Sequence, residues 1–425
     1  MSLADEIVNL TRDARRKGFF HLLSANTLIG LLGFGAQLLI AKFLTPVELG
    51  QVRTMQSFIA VATIVAGFGF NTAVLKLCSE NRSPSEKAFI FRRILAYSAA
   101  PIPIVLTILL LLAKTGALSP DNTVNRWLPV YMLVLPAAVY TLLIMAYLQA
   151  QKQIQRMATL QVVVRALGFG AMVLCSATYA LAGFVIAAVV VGTIALVPLW
   201  YATRPHASAN AGLPGLFSLS TGIASWSVAA NTVSTAGGYM DILLLNYLIP
   251  ERAAIGYYGI ATIFVLGMNQ LTATVQTIAT PYFSEKGGNA TEFRRVLRKY
   301  QRLLIVFSAI VAVLAALVVP PFIVGVYGDS YSSASTYFRI LALKYFLWSS
   351  YALLGQAMLG TGFVRYNFVV ALTQAVAVTT VGYHLIAAFG AAGAAWAQVI
   401  SYALALAVSV ALCARCLRLH FTGRN

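Results

Sequence analysis

The sequence predicts an all-α polytopic membrane protein with about twelve transmembrane helices, and three observations carry that prediction. Of its 425 residues, 60% are apolar and 10% are charged, too few charged groups to coat a soluble protein of this length. Mean hydropathy is +0.80. The apolar residues fall into long runs, and about 20 residues suffice to cross roughly 30 Å of hydrocarbon. Twelve crossings leave no room for a large soluble catalytic domain, so the chain does not read as an enzyme.

In order, the runs lie near 19–43, 50–76, 94–113, 127–149, 158–178, 180–201, 216–248, 254–283, 303–326, 335–359, 366–386 and 391–414. The first follows basic residues, as a signal peptide would, but it extends from Phe19 to Ala41 and another run follows at once, so it reads as a retained helix. Several runs exceed the minimum length, which allows tilt. The junctions between the fifth and sixth runs and between the eleventh and twelfth have the weakest polar punctuation. Trp127, Trp200 and Tyr201 sit at run ends as interfacial anchors.

The connections also give an orientation. If the amino terminus and every even-to-odd connection share one side, that side collects 23 of the 30 Lys and Arg residues. Cytoplasmic loops gather such residues, so both termini are expected in the cytoplasm. This placement accounts for most of the net charge of +18 and leaves no call for a nucleic-acid partner. The densest cluster, Arg294, Arg295, Arg298 and Lys299 interleaved with Phe293, Leu297 and Tyr300, reads either as an ordinary positive-inside loop or as an amphipathic helix lying on anionic membrane lipids.

The chain also repeats itself. At an offset of 204, Leu38, Leu39, Phe43, Leu44 and Pro46 fall on Ile242, Leu243, Tyr247, Leu248 and Pro250. Six spans per half is an even number, so the halves share one orientation and are related by an axis along the membrane normal. The expected architecture is two pseudo-symmetric six-helix lobes, residues 1–205 and 206–425, around a central cavity. Pro205, Gly212, Pro214 and Gly215 mark the boundary.

Ionisable groups within spans cost about 2.5–3.5 kcal/mol each on insertion scales, so they mark candidate sites. Asp241 is the one acid placed inside a span. It ends a stripe of small or polar residues, Ser227, Asn231, Ser234 and Gly238, whose spacings of 3 and 4 keep one helical face. Asn26, Gly30, Gly33 and Gln37 form the matching stripe in the first span, with Gln37 at the position of Asp241. Two readings stand: a cavity-lining face on which Asp241 binds a cation, a proton or sodium, or close helix packing around a structural acid.

Cations outnumber that acid. Arg165 lies mid-way along span five and Lys344 within span ten, while Lys42, Arg53 and Arg339 lie nearer the outer ends of spans one, two and ten. Unpaired cations facing a water-filled cavity suit a diphosphate-bearing substrate; the alternative is that they snorkel to the interface. The glycine pairs of Gly33-Phe34-Gly35, Gly67-Phe68-Gly69 and Gly168-Phe169-Gly170 lie within apolar runs and read as packing or bending sites, not nucleotide loops. The four His residues are scattered, and Cys413 and Cys416 stand without a second pair, so no metal site is expected.

Four places resemble the polysaccharide-transporter family, the Wzx-type O-antigen flippases, within the superfamily of multidrug, oligosaccharidyl-lipid and polysaccharide exporters. They are Lys42-Phe43-Leu44-Thr45-Pro46 with Glu48, Leu49 and Gly50; Gly67-Phe68-Gly69 with Thr72, Ala73 and Lys76; Asp241, Leu243, Leu244, Tyr247, Leu248 and Pro250 through Gly256 and Tyr257; and Tyr327-Gly328, Tyr331, Ala334, Arg339, Ile340 and Leu341. The resemblance implies a bacterial inner-membrane protein that flips a polyprenyl-diphosphate-linked oligosaccharide by alternating access, working beside polysaccharide polymerase or export machinery. It implies no cofactor beyond a coupling H+ or Na+. A lipid II flippase, a multidrug exporter and a membrane polymerase or ligase are the rival readings.

Overall fold

The computed structural model describes residues 19–151, 153–203, 215–285, 290–361 and 363–422. The regular elements described are helices: α1 (Phe19–Phe43), α2 (Pro46–Gly67), α3 (Phe70–Ser79), α4 (Pro84–Ser98), α5 (Pro101–Lys114), α6 (Asn122–Tyr131), α7 (Val134–Ala150), α8 (Ile154–Ala202), α9 (Leu216–Leu248), α10 (Arg252–Glu285), α11 (Ala290–Tyr327), α12 (Ser332–Gly360) and α13 (Val364–Thr422), with a 3-10 turn at Asp329–Tyr331. Lipid offers a backbone no hydrogen-bond partner, and helices satisfy their own.

These helices make twelve rods. Three rods are pairs of helices, α2–α3, α4–α5 and α6–α7, and two of those pairs bend by 48°. Two helices are each two rods joined at a kink, α8 at Ala180 and α13 at Gly390. Among the described residues, five rods are long and apolar enough to cross a membrane, or seven when each bent pair counts as one. The small and polar residues of α9 and α12 keep them below that hydropathy. The protein is a multi-pass membrane protein.

Two boundaries differ from expectation. The third rod begins at Pro84 rather than near residue 94, because Ser83 and Glu86 form a capping box with Pro84 in the first turn. The ninth begins at Ala290 rather than near residue 303. Residues 293–300 are therefore an extension of a spanning helix, which corrects both readings, the loop and the helix lying on the surface. Phe293 and Leu297 are buried with Leu353, Met358, Cys413 and Cys416, not set into lipid. The boundary expected between the lobes, from Pro205 to Pro214, lies outside the described residues, as do the amino-terminal cations through Lys17.

Successive rods alternate direction, so the turns gather at two ends, named here for Thr45 and Ser83. At the Thr45 end, α2 opens with a capping box, Glu48 N–H donating to Thr45 Oγ1 at 3.3 Å and Thr45 N–H to Glu48 Oε2 at 2.9 Å. At the other end of α2, Phe68 and Gly69 take left-handed backbone (φ 48° and 68°) and bend the rod as expected. Gly69 is required there, because a Cβ would strike the Ala224 carbonyl of α9.

The kinks carry a second repeat. Ala180 (φ 48°, ψ −130°) and Gly390 (φ 60°, ψ −138°) stand 210 residues apart with nearly the same backbone. Three residues later, a Cβ on Gly183 would strike the Cys175 carbonyl and one on Gly393 the Leu385 carbonyl, again at that offset. Each kink closes a reverse turn so tight that glycine must face the preceding helix.

One apolar core, from Ile40 to Ala395, joins the first half (α1–α8) to the second (α9–α13). Helix α2 packs against both α9 and α10. At the Thr45 end the two equivalent turns touch through backbone: a Cβ on Gly50 would lie 2.7 Å from the Arg252 carbonyl, and one on Gly256 would overlap that of Pro46. The halves are also pinned there by Ser119 Oγ donating to Asn246 Oδ1 (2.7 Å), Asn246 Nδ2 to the Leu118 carbonyl (3.1 Å), Tyr247 to the Ala117 carbonyl, and Tyr327 to the Leu38 carbonyl (2.8 Å). Asp121 accepts from Gln51 at 2.9 Å and lies 4.0 Å from Arg252.

Candidate functional site

Two buried polar clusters lie about two helical turns in from the Thr45 end, one on each half. The first centres on Arg53, which is 8% exposed. Its two terminal nitrogens donate to Gln37 Oε1 of α1 and Gln56 Oε1, each at 2.9 Å. Its stem rests on Gly259 of α10, where an added Cβ would lie 2.9 Å from Arg53 Cγ. Tyr131 and Tyr239 are its electrostatic neighbours. Residues of both halves thus surround one guanidinium, and its Nε has no hydrogen-bond partner.

The second cluster centres on Asp241, 5% exposed. Tyr258 of α10 donates to Oδ2 at 2.5 Å, and the Ile242 N–H donates to Oδ1 at 2.8 Å. Lys344 of α12 interacts with this carboxylate, while its ammonium sits 5.0 Å above the ring centre of Tyr402 on α13. The Gln398 amide faces the same carboxylate at 1% exposure, but neither its nitrogen nor its oxygen makes a hydrogen bond of normal geometry.

The clusters correspond. In each half the polar residue near the end of the first rod, Gln37 or Asp241, is bonded to a residue two turns into the second, Arg53 or Tyr258. The equivalence of Gln37 and Asp241 was legible at the repeat offset; their partners were not, since Arg53 and Tyr258 differ in chemistry.

The stripe leading to Asp241 meets the first half at Ser227. Thr72 and Ser227 hydroxyls meet at 2.6 Å, and Asn231 Nδ2 donates to Ser227 Oγ at 3.1 Å. Beyond that contact Asn231, Ser234 and Gly238 are exposed, and a Cβ on Gly238 would meet nothing within 4 Å. Asn231, Ser234 and Gly238 thus form an exposed, largely polar strip along α9. The α1 stripe differs: Gly30 packs against Gln270 and Gly33 against Phe169, and the Asn26 side chain lies outside the described residues.

The remaining cations are not drawn together. Arg165 is exposed. It sits four residues after Gln161, which bonds to Met145, and four before Phe169, which packs on Gly33. It therefore shares the helix face turned toward α7 and α1, away from the exposed Val163 and Leu167. Lys42 and Arg339 are exposed near the Thr45 end. Arg53, expected alongside them near an outer end, is instead enclosed, because Gln37 and the missing side chain of Gly259 make room and a partner for it. Among the described residues no group of His, Cys, Asp or Glu is placed to hold a metal.

Tyr258→Phe removes the donor at 2.5 Å and leaves Asp241 with a single backbone N–H. The expected cost is about 1–3 kcal/mol, read as a lower thermal midpoint in detergent; an unchanged midpoint would show that the carboxylate is held by other groups.

Among the solved structures that resemble the chain are membrane transporters. The lipid II flippase MurJ in an inward closed conformation matches with TM-score 0.74 at 14% identity, covering 95% of this chain and 92% of that one. An inward-facing multidrug resistance MATE transporter of the MOP superfamily matches with TM-score 0.72 at 11% identity, covering 93% and 96%. A MOP superfamily transporter from Pyrococcus furiosus, described by a binding pocket of reverse polarity, matches with TM-score 0.66 at 12% identity, covering 94% and 95%. No curated protein matches by sequence. The model of the polysaccharide biosynthesis protein family matches residues 39–336. That match takes in Arg53, Asp241 and Tyr258, though not Gln37, Lys344, Gln398 or Tyr402, and covers most of the chain, so the protein belongs to the polysaccharide biosynthesis protein family and shares its fold with the MurJ and MATE transporters.

Proposed function

We propose that the protein moves a polyprenyl-diphosphate-linked oligosaccharide from the inner to the outer leaflet of a bacterial cytoplasmic membrane by alternating access. The observation that carries this reading is Arg53: a guanidinium enclosed by both halves, with one N–H unpartnered. A buried donor without an acceptor is costly, and a phosphate oxygen supplies the acceptor. The exposed strip of Asn231, Ser234 and Gly238 marks the route by which sugar and diphosphate approach, while the lipid tail stays in the bilayer. The bonds at the Thr45 end close that route in the state described.

In this reading Arg165 and Lys344 are the further cations that meet the phosphates, with Lys42 and Arg339 at the rim. Lys344 already has an acidic neighbour, so phosphate competes with Asp241 for it. Proton or sodium binding at Asp241 frees the ammonium and favours one conformational state over the other, as differential affinity requires. The lobes are residues 1–205 and 206–425, and both termini are cytoplasmic.

The test is the leaflet location of lipid-linked oligosaccharide in depleted cells, read with a sugar-specific probe on right-side-out and inverted vesicles. Retention in the cytoplasmic leaflet, reversed by wild type and reduced about ten-fold with Arg165→Ala or Lys344→Ala at normal expression, is expected for loss of one charge-assisted contact of about 1.5 kcal/mol. Undiminished flipping by both variants overturns the cationic assignment, and accumulation of single repeat units in the outer leaflet points to a polymerase or ligase.

A further inference from the structure

The basic segment at the start of α11 is not used by the transport reading, and its geometry is specific. Phe293, Leu297 and Leu304 are buried on one face of the helix, and Gln301 donates to the Ser350 carbonyl of α12. These contacts fix the rotation of the helix. Thr291, Arg294, Arg295, Arg298, Lys299 and Arg302 therefore point away from the bundle and line a concavity of about 640 Å³. Glu292 is the only acid on α11.

The basic face continues into a lipid-facing one. Arg295, Lys299 and Arg302 are followed at spacings of 4, 4, 3 and 4 by Val306, Ile310, Val313 and Leu317, all exposed. Such spacing keeps a single side of an α-helix. Exposed apolar side chains on a spanning helix meet acyl chains, so the hydrocarbon boundary falls between Arg302 and Val306. The cations lie where the phosphates of that leaflet sit.

We propose that this face is a binding site for an anionic phospholipid of the leaflet at the Ser83 end. The phosphate sits among Arg295, Arg298 and Arg302, and an acyl chain lies along Val306, Ile310 and Val313. A loop that only sets topology needs its cations on one side of the membrane, without a shared helix face or an apolar continuation. An acidic protein partner has no use for the apolar stripe. The assignment is independent of what the protein transports.

The test is native mass spectrometry of the full-length protein in detergent, titrated with phosphatidylglycerol or phosphatidylcholine. Wild type is expected to retain the anionic lipid about a hundred-fold better, at about 1 kcal/mol for each of the three cations near the surface. Arg295→Gln/Arg298→Gln/Arg302→Gln is expected to lose that preference, while Lys76→Gln/Lys87→Gln/Arg93→Gln, which removes equal charge at the same end, keeps it. Equal loss in the control overturns the site in favour of bulk charge. Glycerol phosphate, which lacks an acyl chain, is expected not to displace the lipid, and displacement overturns the role of the apolar stripe. Should the glutamine variant fail to fold, the triple Arg→Lys variant keeps the charge and is expected to weaken retention about three-fold through loss of the planar fork; unweakened retention by a folded Arg→Lys variant overturns the role of the guanidinium fork.

Discussion

Arg53→Met is expected to abolish flipping while leaving folded protein in the membrane. Truncating one partner of a buried, hydrogen-bonded charge pair costs about 2–5 kcal/mol, equivalent to at least about thirty-fold in substrate affinity at 1.4 kcal/mol per decade. Stability moves less, because the substitution removes an enclosed charge whose Nε lacks a partner, and methionine fills the channel beside Gly259. Gln37 and Gln56 each lose one bond. Arg53→Lys is expected to keep part of the activity, since an ammonium supplies charge without the fork. The leaflet assay measures transport and a thermal midpoint measures stability. Loss of both together would make Arg53 structural, and full transport by Arg53→Met would remove it from the substrate path.

The second large effect is expected at the kinks. Gly393→Val places a side chain where the Leu385 carbonyl sits, and Gly183→Val does the same at Cys175. The obstructing atoms are backbone, so no rotamer change relieves the clash. A loss above about 4 kcal/mol, in the exceptional range for single substitutions, removes folded protein, read as loss of the monodisperse peak in size-exclusion chromatography. The counterpart is Ala180→Gly. Ala180 holds φ 48° with ψ −130°, a conformation costing about 1–3 kcal/mol for a residue with a Cβ, whereas glycine costs about 0.5–1 kcal/mol in chain entropy. A thermal midpoint raised by Ala180→Gly and destroyed by Gly393→Val establishes these turns as the fixed corners of the fold; indifference to Gly393→Val would show that the last two rods separate.

The twelve crossings were legible because a bilayer leaves few choices: apolar length gives a helix and a polar connection gives a turn. The predicted span 216–248 coincides with α9. The start of the ninth helix was not legible, because Arg and Lys are good helix formers that also populate loops, and only the burial of Phe293 and Leu297 decides between them. The site divides similarly. Asp241 and Lys344 were singled out by their depth, Gln37 by its place in the repeat and Arg53 as a cation near an outer end; the structure bonds Gln37 to Arg53 and sets Lys344 beside Asp241 as an electrostatic neighbour. Sequence spacing does not reveal partners on different rods. Tyr258, Tyr402 and Gln398 were missed because buried Tyr and Gln carry no signature in an apolar run. The 210-residue repeat of Ala180 and Gly183 with Gly390 and Gly393 was readable in principle, but the offset of 204 seen in the first spans does not align it.

The Gln37–Arg53 bond also bears on biogenesis. A ribosome delivers α1 and α2 to the membrane some 200 residues before Tyr239 and Gly259 exist. During that interval the guanidinium has no second half to enclose it. Gln37 lies 16 residues upstream, on the hairpin partner already inserted, and its oxygen meets Arg53 at 2.9 Å. The nascent hairpin therefore carries its own chaperone for the charge, and the second half takes over only the part of the shell that faces it.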